Sequence, residues 1–172
     1  MRNFRAPLPG EVLVHTSPDF LQEAFTRLRP LLRPAVQAGY ETSRVFLILD
    51  EVLSNVYRHG YRRASGQPIG IRLRLEGERC RITVRDLAPP FDSVWHGKRR
   101  SLPAPESGAP GGRGLVIMYR MCQSMQHRVH AEGGNELDLV MRMLRRSAPE
   151  RPETSGETVC STEEDDGVAE NR

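Results

Sequence analysis

The strongest constraint on the fold is the alternation of residue types in PIGIRLRLEGERCRITVRD, residues 68–86. Apolar side chains alternate with small or basic ones on both sides of the segment EGE, and this pattern predicts an antiparallel hairpin. The isoleucines, leucines and valine share one face, which we expect to be buried in a core. The opposite face carries arginines and is expected to be exposed to water.

Strand and helix patterns precede this hairpin. Residues 10–16, GEVLVHT, predict a short strand. The apolar spacing that follows predicts a helix with Ser17 as its N-cap and Pro18 at its first position. Pro30 and Pro34 are expected to end or kink that helix, because proline removes a backbone donor and clashes with the preceding turn.

A second helix is predicted to start at Ser43 or Arg44 and to stop at Gly60, with a broad apolar face. After the hairpin, residues 87–114 are rich in proline and glycine and show no apolar period. A connection of this length inside one domain is usually functional, as in a lid or a binding loop.

The last two elements are predicted to close the domain. GLVIMYRMCQSM, residues 114–125, has helical spacing. HRVHAEGGNELDLVMRML, residues 127–144, predicts two strands joined by a turn at Gly133-Gly134-Asn135. The order of the elements predicts an α+β fold, a two-layer α/β sandwich in which helices cover one face of a mixed, mainly antiparallel sheet.

The composition is that of one ordinary domain. The 172 residues suffice for a single core, and no apolar run approaches the roughly 20 residues of a membrane span. The segment MRNFRAPLPGEVLVHT does not resemble a secretion signal. The three cysteines are widely spaced, which argues against a disulfide framework and a structural zinc site. A cytoplasmic protein is therefore the expectation.

Charge divides the chain into two parts. Residues 147–172 contain eight acids and two arginines, a net charge of −6, so residues 1–146 carry about +9 of the total of +3. The acidic part has few large apolar residues and is predicted to be a disordered tail after a folded domain of residues 1–146. A basic domain suits a polyanionic ligand, an acidic protein or nucleic acid, so charge alone does not choose between them.

One candidate group of site residues lies in LDEVLSNVYRHGY, residues 49–61. Glu51, Asn55 and His59 are spaced four residues apart and are expected to share one helical face. A carboxylate, an amide and an imidazole in a row suit a ligand site. Ordinary exposed polar residues would give the same pattern, and a histidine near a helix C-terminus is also explained by the helix dipole.

Two further segments carry candidate site residues. Asp86 ends the hairpin, where a buried carboxylate could accept a hydrogen bond from an amino group of a ligand. In GGRGL, residues 111–115, a glycine-rich loop opens a helix whose backbone N–H groups suit an anion, and Arg113 adds a charged donor. Each has a plainer explanation, since Asp86 could be a turn residue and GGRG a flexible connector.

Taken together and in this chain order, the segments resemble the GHKL-type ATPases. The closest resemblance is to the stand-alone anti-sigma-factor serine/threonine-protein kinases of bacterial partner-switching systems. LILDEVLSNVYRHGY resembles the first ATP box of that group, VRDLAPPFD the second, GGRGLVIM the third, and GGNELDLVMRM the closing hairpin. The resemblance covers roughly residues 10–145.

The resemblance implies roles for individual residues. Asn55 corresponds to the ligand of Mg²⁺ between the phosphates of ATP, and an oxygen donor suits that hard cation. Glu51 corresponds to the general base that takes a proton from the attacking serine hydroxyl. Asp86 corresponds to the residue that reads adenine. The other implied nucleotide contacts are Lys98 in an ATP lid (residues 93–112), Gly112, Arg113, Gly114 and Leu115 in the phosphate-facing loop, and Asn135 beside the adenine pocket.

Ala88 departs from the family pattern, which has glycine two residues after the aspartate. Glycine there permits a close backbone approach or an unusual φ, so alanine could weaken ATP binding or be tolerated through a small shift. The resemblance implies a kinase that binds a sigma factor, phosphorylates a STAS-type anti-sigma-factor antagonist and forms a homodimer, with no membrane and no direct nucleic acid among its partners. The chain length suits such an isolated ATP domain.

Two alternative functions remain. The first is an ATP-binding or ATP-indifferent partner switch that sequesters its target without chemistry, and Ala88 is the feature that motivates it. The second is a nucleic-acid binder, motivated by the basic domain and the arginine face of the hairpin. The low aromatic content disfavours it, because base stacking depends on aromatic side chains.

Overall fold

The computed structural model describes residues 7–90, 113–130 and 133–146, and the statements below concern those residues. The predicted lid and the predicted acidic tail lie outside them. The elements, in chain order, are β1 (Glu11–His15), α1 (Phe20–Leu28), a 3₁₀ turn (Arg29–Leu32), α2 (Arg33–Gln37), α3 (Ser43–Asn55), a π-helical turn (Val56–Gly60), β2 (Pro68–Glu76), β3 (Arg79–Asp86), α4 (Arg113–Met121), β4 (Cys122–Val129) and β5 (Asn135–Arg142).

The five described strands form one sheet in the order β1-β2-β3-β5-β4, and every neighbouring pair is antiparallel. Register aligns residues into rows across the sheet. One row on the inner face contains Val12, Ile71, Val84, Leu137 and His127. The next row contains Val14, Ile69, Asp86, Asn135 and Val129, and it therefore places a carboxylate and an amide side by side at the end of two central strands.

Helices cover the inner face and complete a single core. Buried side chains from α1, α3 and α4 pack with those of the strands in one cluster. Aromatic pairs join α1 to the segment that contains α3: the rings of Phe25 and Phe46 lie edge to face at 5.3 Å, and those of Phe20 and Tyr57 lie 5.2 Å apart. The predicted α+β sandwich with a mainly antiparallel sheet is thus confirmed. None of the described helices is both long enough and apolar enough to cross a membrane.

Several predicted boundaries are confirmed. Alternation in residues 68–86 produces β2 and β3, and α3 begins at Ser43. Helix α1 ends at Leu28, and Pro30 and Pro34 then occupy the first turns of the two short helical segments that follow. Proline is tolerated there because the first N–H groups of a helix have no intrahelical acceptor.

Three local predictions are wrong. Ser17 is not the N-cap: α1 starts at Phe20, Asp19 precedes it, and neither side chain forms a capping hydrogen bond within the described residues. The third helix does not continue to residue 125, because the chain enters β4 directly after Met121. There β5 offers a ladder of hydrogen-bonding partners, with one irregularity between Cys122 and Ser124, and this pairing outweighs local helical spacing. Asn135 belongs to β5 rather than to the turn before it.

The outer face of the sheet is also less exposed than predicted. Arg85 is 8% exposed and forms a bidentate ion pair with Glu11, with Nε–Oε1 and Nη2–Oε2 distances of 2.7 and 2.6 Å. Gly70 lies opposite Arg85 in the register, and its missing side chain leaves room for the guanidinium to cross β2. Other arginines on this face are paired with acids, as in Arg81–Asp138 and Arg128–Glu136.

Candidate functional site

A depression opens between the C-terminal half of α3 and the inner face of β3, β5 and β4. It contains about 310 Å³ of empty space, part of it open to solvent. Its walls are mostly apolar and its polar groups are few, as is typical of small-molecule sites. The lining residues are Val52, Asn55, Val56, Val84, Asp86, His127, Asn135 and Leu137.

Asp86 lies at the floor of this depression and is 5% exposed. Its Oδ1 accepts two hydrogen bonds, from the backbone N–H of Ala88 at 2.8 Å and from Asn135 Nδ2 at 2.8 Å. Its Oδ2 accepts none from the described part of the chain. One oxygen is therefore fixed by the protein, and the other can accept a hydrogen bond from a ligand.

Burial raises the pKa of Asp86 from 3.8 to about 6, although the hydrogen bonds from Asn135 and Ala88 act in the opposite direction. Desolvation disfavours the charged carboxylate more than these two donors stabilise it. Asp86 is therefore ionised at neutral pH, but at a cost in free energy. Strongly perturbed carboxylates in clefts are candidate functional groups.

Tyr61 holds the chain in place directly after Asp86. Its hydroxyl donates to the carbonyl oxygen of Pro68 at 2.6 Å and accepts from the N–H of Leu87 at 2.7 Å. Burial raises the pKa of Tyr61 well above its usual range, so the hydroxyl keeps its proton. The side chain thus ties the end of β3 to the start of β2 and helps to orient the carboxylate.

Ala88 fits its position without strain. It is fully buried, and its backbone does not adopt a positive φ, which among the described non-glycine residues occurs only at Arg62 and Arg63. The methyl group is not among the atoms that line the depression. The unusual φ that would require glycine is absent at this position, so this objection to alanine does not apply.

Asn55 is the last residue of α3 and lines the same depression as Asp86. Its side chain forms no hydrogen bond to the described residues, which leaves its oxygen available as a ligand. The chain then makes a π turn from Val56 to Gly60, a feature frequent at functional sites. Because a π turn has more residues than an α turn, His59 does not continue the row of Glu51 and Asn55, and it is exposed.

The remaining predicted site residues divide into three groups. Asn135 lies beside Asp86 and lines the depression, with 3% of its surface exposed. Glu51 lies one turn before Asn55 but is not among the lining residues, and Arg113, Gly114 and Leu115 form the first turn of α4. Lys98 and Gly112 lie outside the described residues. The described residues contain no group of three or more histidine, cysteine or acidic side chains that could hold a metal ion.

The sequence interpretation missed two residues of the site. His127 lines the depression and bonds Asn135, and Tyr61 orients the end of β3. His127 was predicted to lie in a strand, but the sequence does not show which residues of β5 lie beside it. The alternation of Met125 and His127 with exposed neighbours is a signal that His127 faces inward.

The fold and the depression define a class of domain, an α+β sandwich in which a buried carboxylate lies at the floor of an apolar pocket. The model of the histidine kinase-like ATPase domain family matches residues 15–141, and the chain therefore belongs to this family. Membership implies that it binds ATP and, broadly, that it uses ATP in kinase-type chemistry. The pocket combines mostly apolar walls with a carboxylate oxygen that accepts no hydrogen bond from the described residues.

Comparison with solved structures finds the Acinetobacter baumannii histidine kinase AdeS, at 13% sequence identity and a TM-score of 0.41. The match covers 77% of this chain and 68% of that chain. A structural similarity with this identity and TM-score does not bear on the function of this chain. Comparison with curated proteins finds no match.

Proposed function

We propose that this protein is a serine/threonine-protein kinase and anti-sigma factor. It binds a sigma factor and uses Mg-ATP to phosphorylate a STAS-type anti-sigma-factor antagonist. The observation that carries the proposal is the pocket itself, where Asp86 Oδ2 and the amide of Asn55 form no hydrogen bond with the described residues. The finer assignment within the family is supported by the sequence of the three ATP boxes.

Two residues of α3 would have separate roles in the reaction. Asn55 would hold Mg²⁺ through its amide oxygen, since this cation retains several waters and takes few protein ligands. The ion would neutralise charge on the phosphates when bound. Glu51, one helical turn away, would orient the serine hydroxyl of the antagonist and accept its proton. Most of the acceleration in phosphoryl transfer comes from such positioning and charge stabilisation.

Two other functions are weaker. Sequestration without chemistry was motivated by Ala88, and the positive φ that would require glycine there is absent. Nucleic-acid binding required an exposed arginine face on the hairpin, whereas Arg81 and Arg85 of that face are paired with acids. As family resemblance suggests, the active form would be a cytoplasmic homodimer.

The test is transfer of phosphate from ATP to a STAS-domain antagonist by the purified protein with Mg²⁺. Glu51→Ala should abolish transfer while ATP affinity stays within about twofold, because a general base contributes little to ground-state binding. Asp50→Ala is the matched control, since it removes the adjacent carboxylate from a different face of α3.

Asn55→Ala should remove the part of ATP affinity that depends on Mg²⁺. Transfer by Glu51→Ala at the wild-type rate would exclude Glu51 from the mechanism. ATP binding and target binding without any transfer, in the wild-type protein, would favour the sequestering switch instead.

A further inference from the structure

A chain of three polar side chains crosses the floor of the depression. His127 Nε2 lies 3.1 Å from Asn135 Oδ1. Asn135 Nδ2 in turn lies 2.8 Å from Asp86 Oδ1 and 3.1 Å from the carbonyl oxygen of Ala88. The proposed function uses Asp86 and, at the border of the pocket, Asn135, but it gives no role to His127.

The direction of these hydrogen bonds follows from the groups involved. The carboxylate oxygen of Asp86 and the carbonyl oxygen of Ala88 can only accept, so they require both N–H groups of the Asn135 amide. The reversed amide would place its oxygen against two other oxygens. Asn135 Oδ1 therefore points to His127 and accepts, and His127 must carry a hydrogen on Nε2.

The sheet places His127 where it can perform this role. His127 lies opposite Leu137 in the β4–β5 register, and Asn135 lies two residues before Leu137 on the same inner face. Diagonal neighbours of this kind are within reach of long side chains. Because Asn135 is 3% exposed, His127 supplies a donor that solvent could not readily replace.

We propose that His127 is a positioning residue that determines the purine specificity of the pocket. By occupying Asn135 Oδ1, it holds both amide N–H groups on Asp86 and Ala88. Asp86 Oδ1 is thereby engaged and Oδ2 remains an acceptor directed at the ligand. The pocket then favours a purine with an exocyclic amino group over one with an oxo group. This inference rests on the nucleotide site of the proposed function.

The test compares the affinities of the full chain for ATP and inosine triphosphate, whose purine has an oxo group instead of the amino group of adenine. His127→Phe keeps an aromatic ring but removes the donor, and it should lower the preference for ATP by about tenfold, as expected for one lost hydrogen bond to a buried polar group. His127→Gln can still donate through its amide and should restore most of the preference. Met125→Leu, on the same face of β4, is the control and should leave the preference for ATP over inosine triphosphate unchanged.

A second readout needs no nucleotide. NMR of the histidine ring nitrogens should show a hydrogen on Nε2 of His127 in the free protein. An unchanged preference in His127→Phe, or a ring protonated on Nδ1 alone, would overturn this inference while ATP binding by the wild-type protein still stood. If the wild-type protein does not bind ATP, the proposed function is overturned, and so is the role of His127 in purine specificity.

Discussion

Gly134 is the position where one added methyl group should disturb the site most directly. It precedes β5 with a φ of +97°, and a Cβ built there would lie 2.5 Å from the carbonyl oxygen of Asp86 and 3.2 Å from Leu87 Cδ2. The contact at 2.5 Å is with backbone, which cannot move aside as a flexible side chain would. The alanine variant must therefore shift either the turn or the end of β3.

Two costs combine in Gly134→Ala. A positive φ costs a residue with a Cβ about 1–2 kcal/mol, and forcing a methyl group into packed surroundings costs about 1–3 kcal/mol more. The free energy of unfolding should thus fall by roughly 2–5 kcal/mol. Gly77→Ala separates the two costs, because Gly77 has a φ of +60° and a Cβ there would meet nothing within 4 Å. The free energy of unfolding of this control variant should fall by only about 1–2 kcal/mol.

Urea unfolding of the two variants measures the difference, and titration with ATP measures its effect on the site. Gly134→Ala should weaken ATP binding at least severalfold because Asp86 moves with its carbonyl group, whereas Gly77→Ala should bind as the wild-type protein does. Equal stabilities of the two variants, together with unchanged ATP affinity in Gly134→Ala, would refute the close contact between this turn and Asp86.

Two further predictions concern the same carboxylate. Burial raises the pKa of Asp86 from 3.8 to about 6. Between these two pH values the folded state therefore binds more protons than the unfolded state. The contribution of Asp86 to the free energy of unfolding thus falls by roughly 3 kcal/mol as the pH rises from about 4 to 6. Unfolding measured from pH 4 to 7.5 should therefore show a decline that Asp86→Asn lacks, and parallel profiles would contradict it. Tyr61→Phe should lower the free energy of unfolding by about 2–3 kcal/mol, because it leaves the N–H of Leu87 and the carbonyl of Pro68 without their partner. Tyr57→Phe, whose hydroxyl has no hydrogen bond within the described residues, should change it by less than about 0.5 kcal/mol.

Strong local periodicity explains which elements could be predicted. Alternation over residues 68–86 fits only a half-buried hairpin, and the apolar face of α3 fits only a helix. The burial of Asp86 agrees with the same alternation, because it continues the inward positions of β3, although the sequence alone also allowed a turn residue there. These features depend on neighbours close in the chain, which a sequence displays directly.

Features that depend on distant partners could not be predicted in this way. Met118, Met121 and Met125 have helical spacing, yet β4 begins at Cys122 because β5 provides a ladder there. Arg85 has the sequence context of an exposed strand residue, and its burial requires Glu11, 74 positions away. The role of His127 likewise follows from its diagonal position to Asn135 across two strands, which is a property of register.

The depression and the raised pKa of Asp86 have a common physical origin. Burial makes the charged carboxylate costly, and within the described part of the chain this cost is offset only at Oδ1, where Ala88 and Asn135 donate. A third donor at Oδ2 would stabilise the ionised form further and lower its pKa. A ligand N–H can supply that donor, whereas a ligand oxygen would face an acceptor in a site from which water is partly excluded. The same burial that makes the ionised carboxylate costly would therefore underlie the proposed preference for amino-bearing purines.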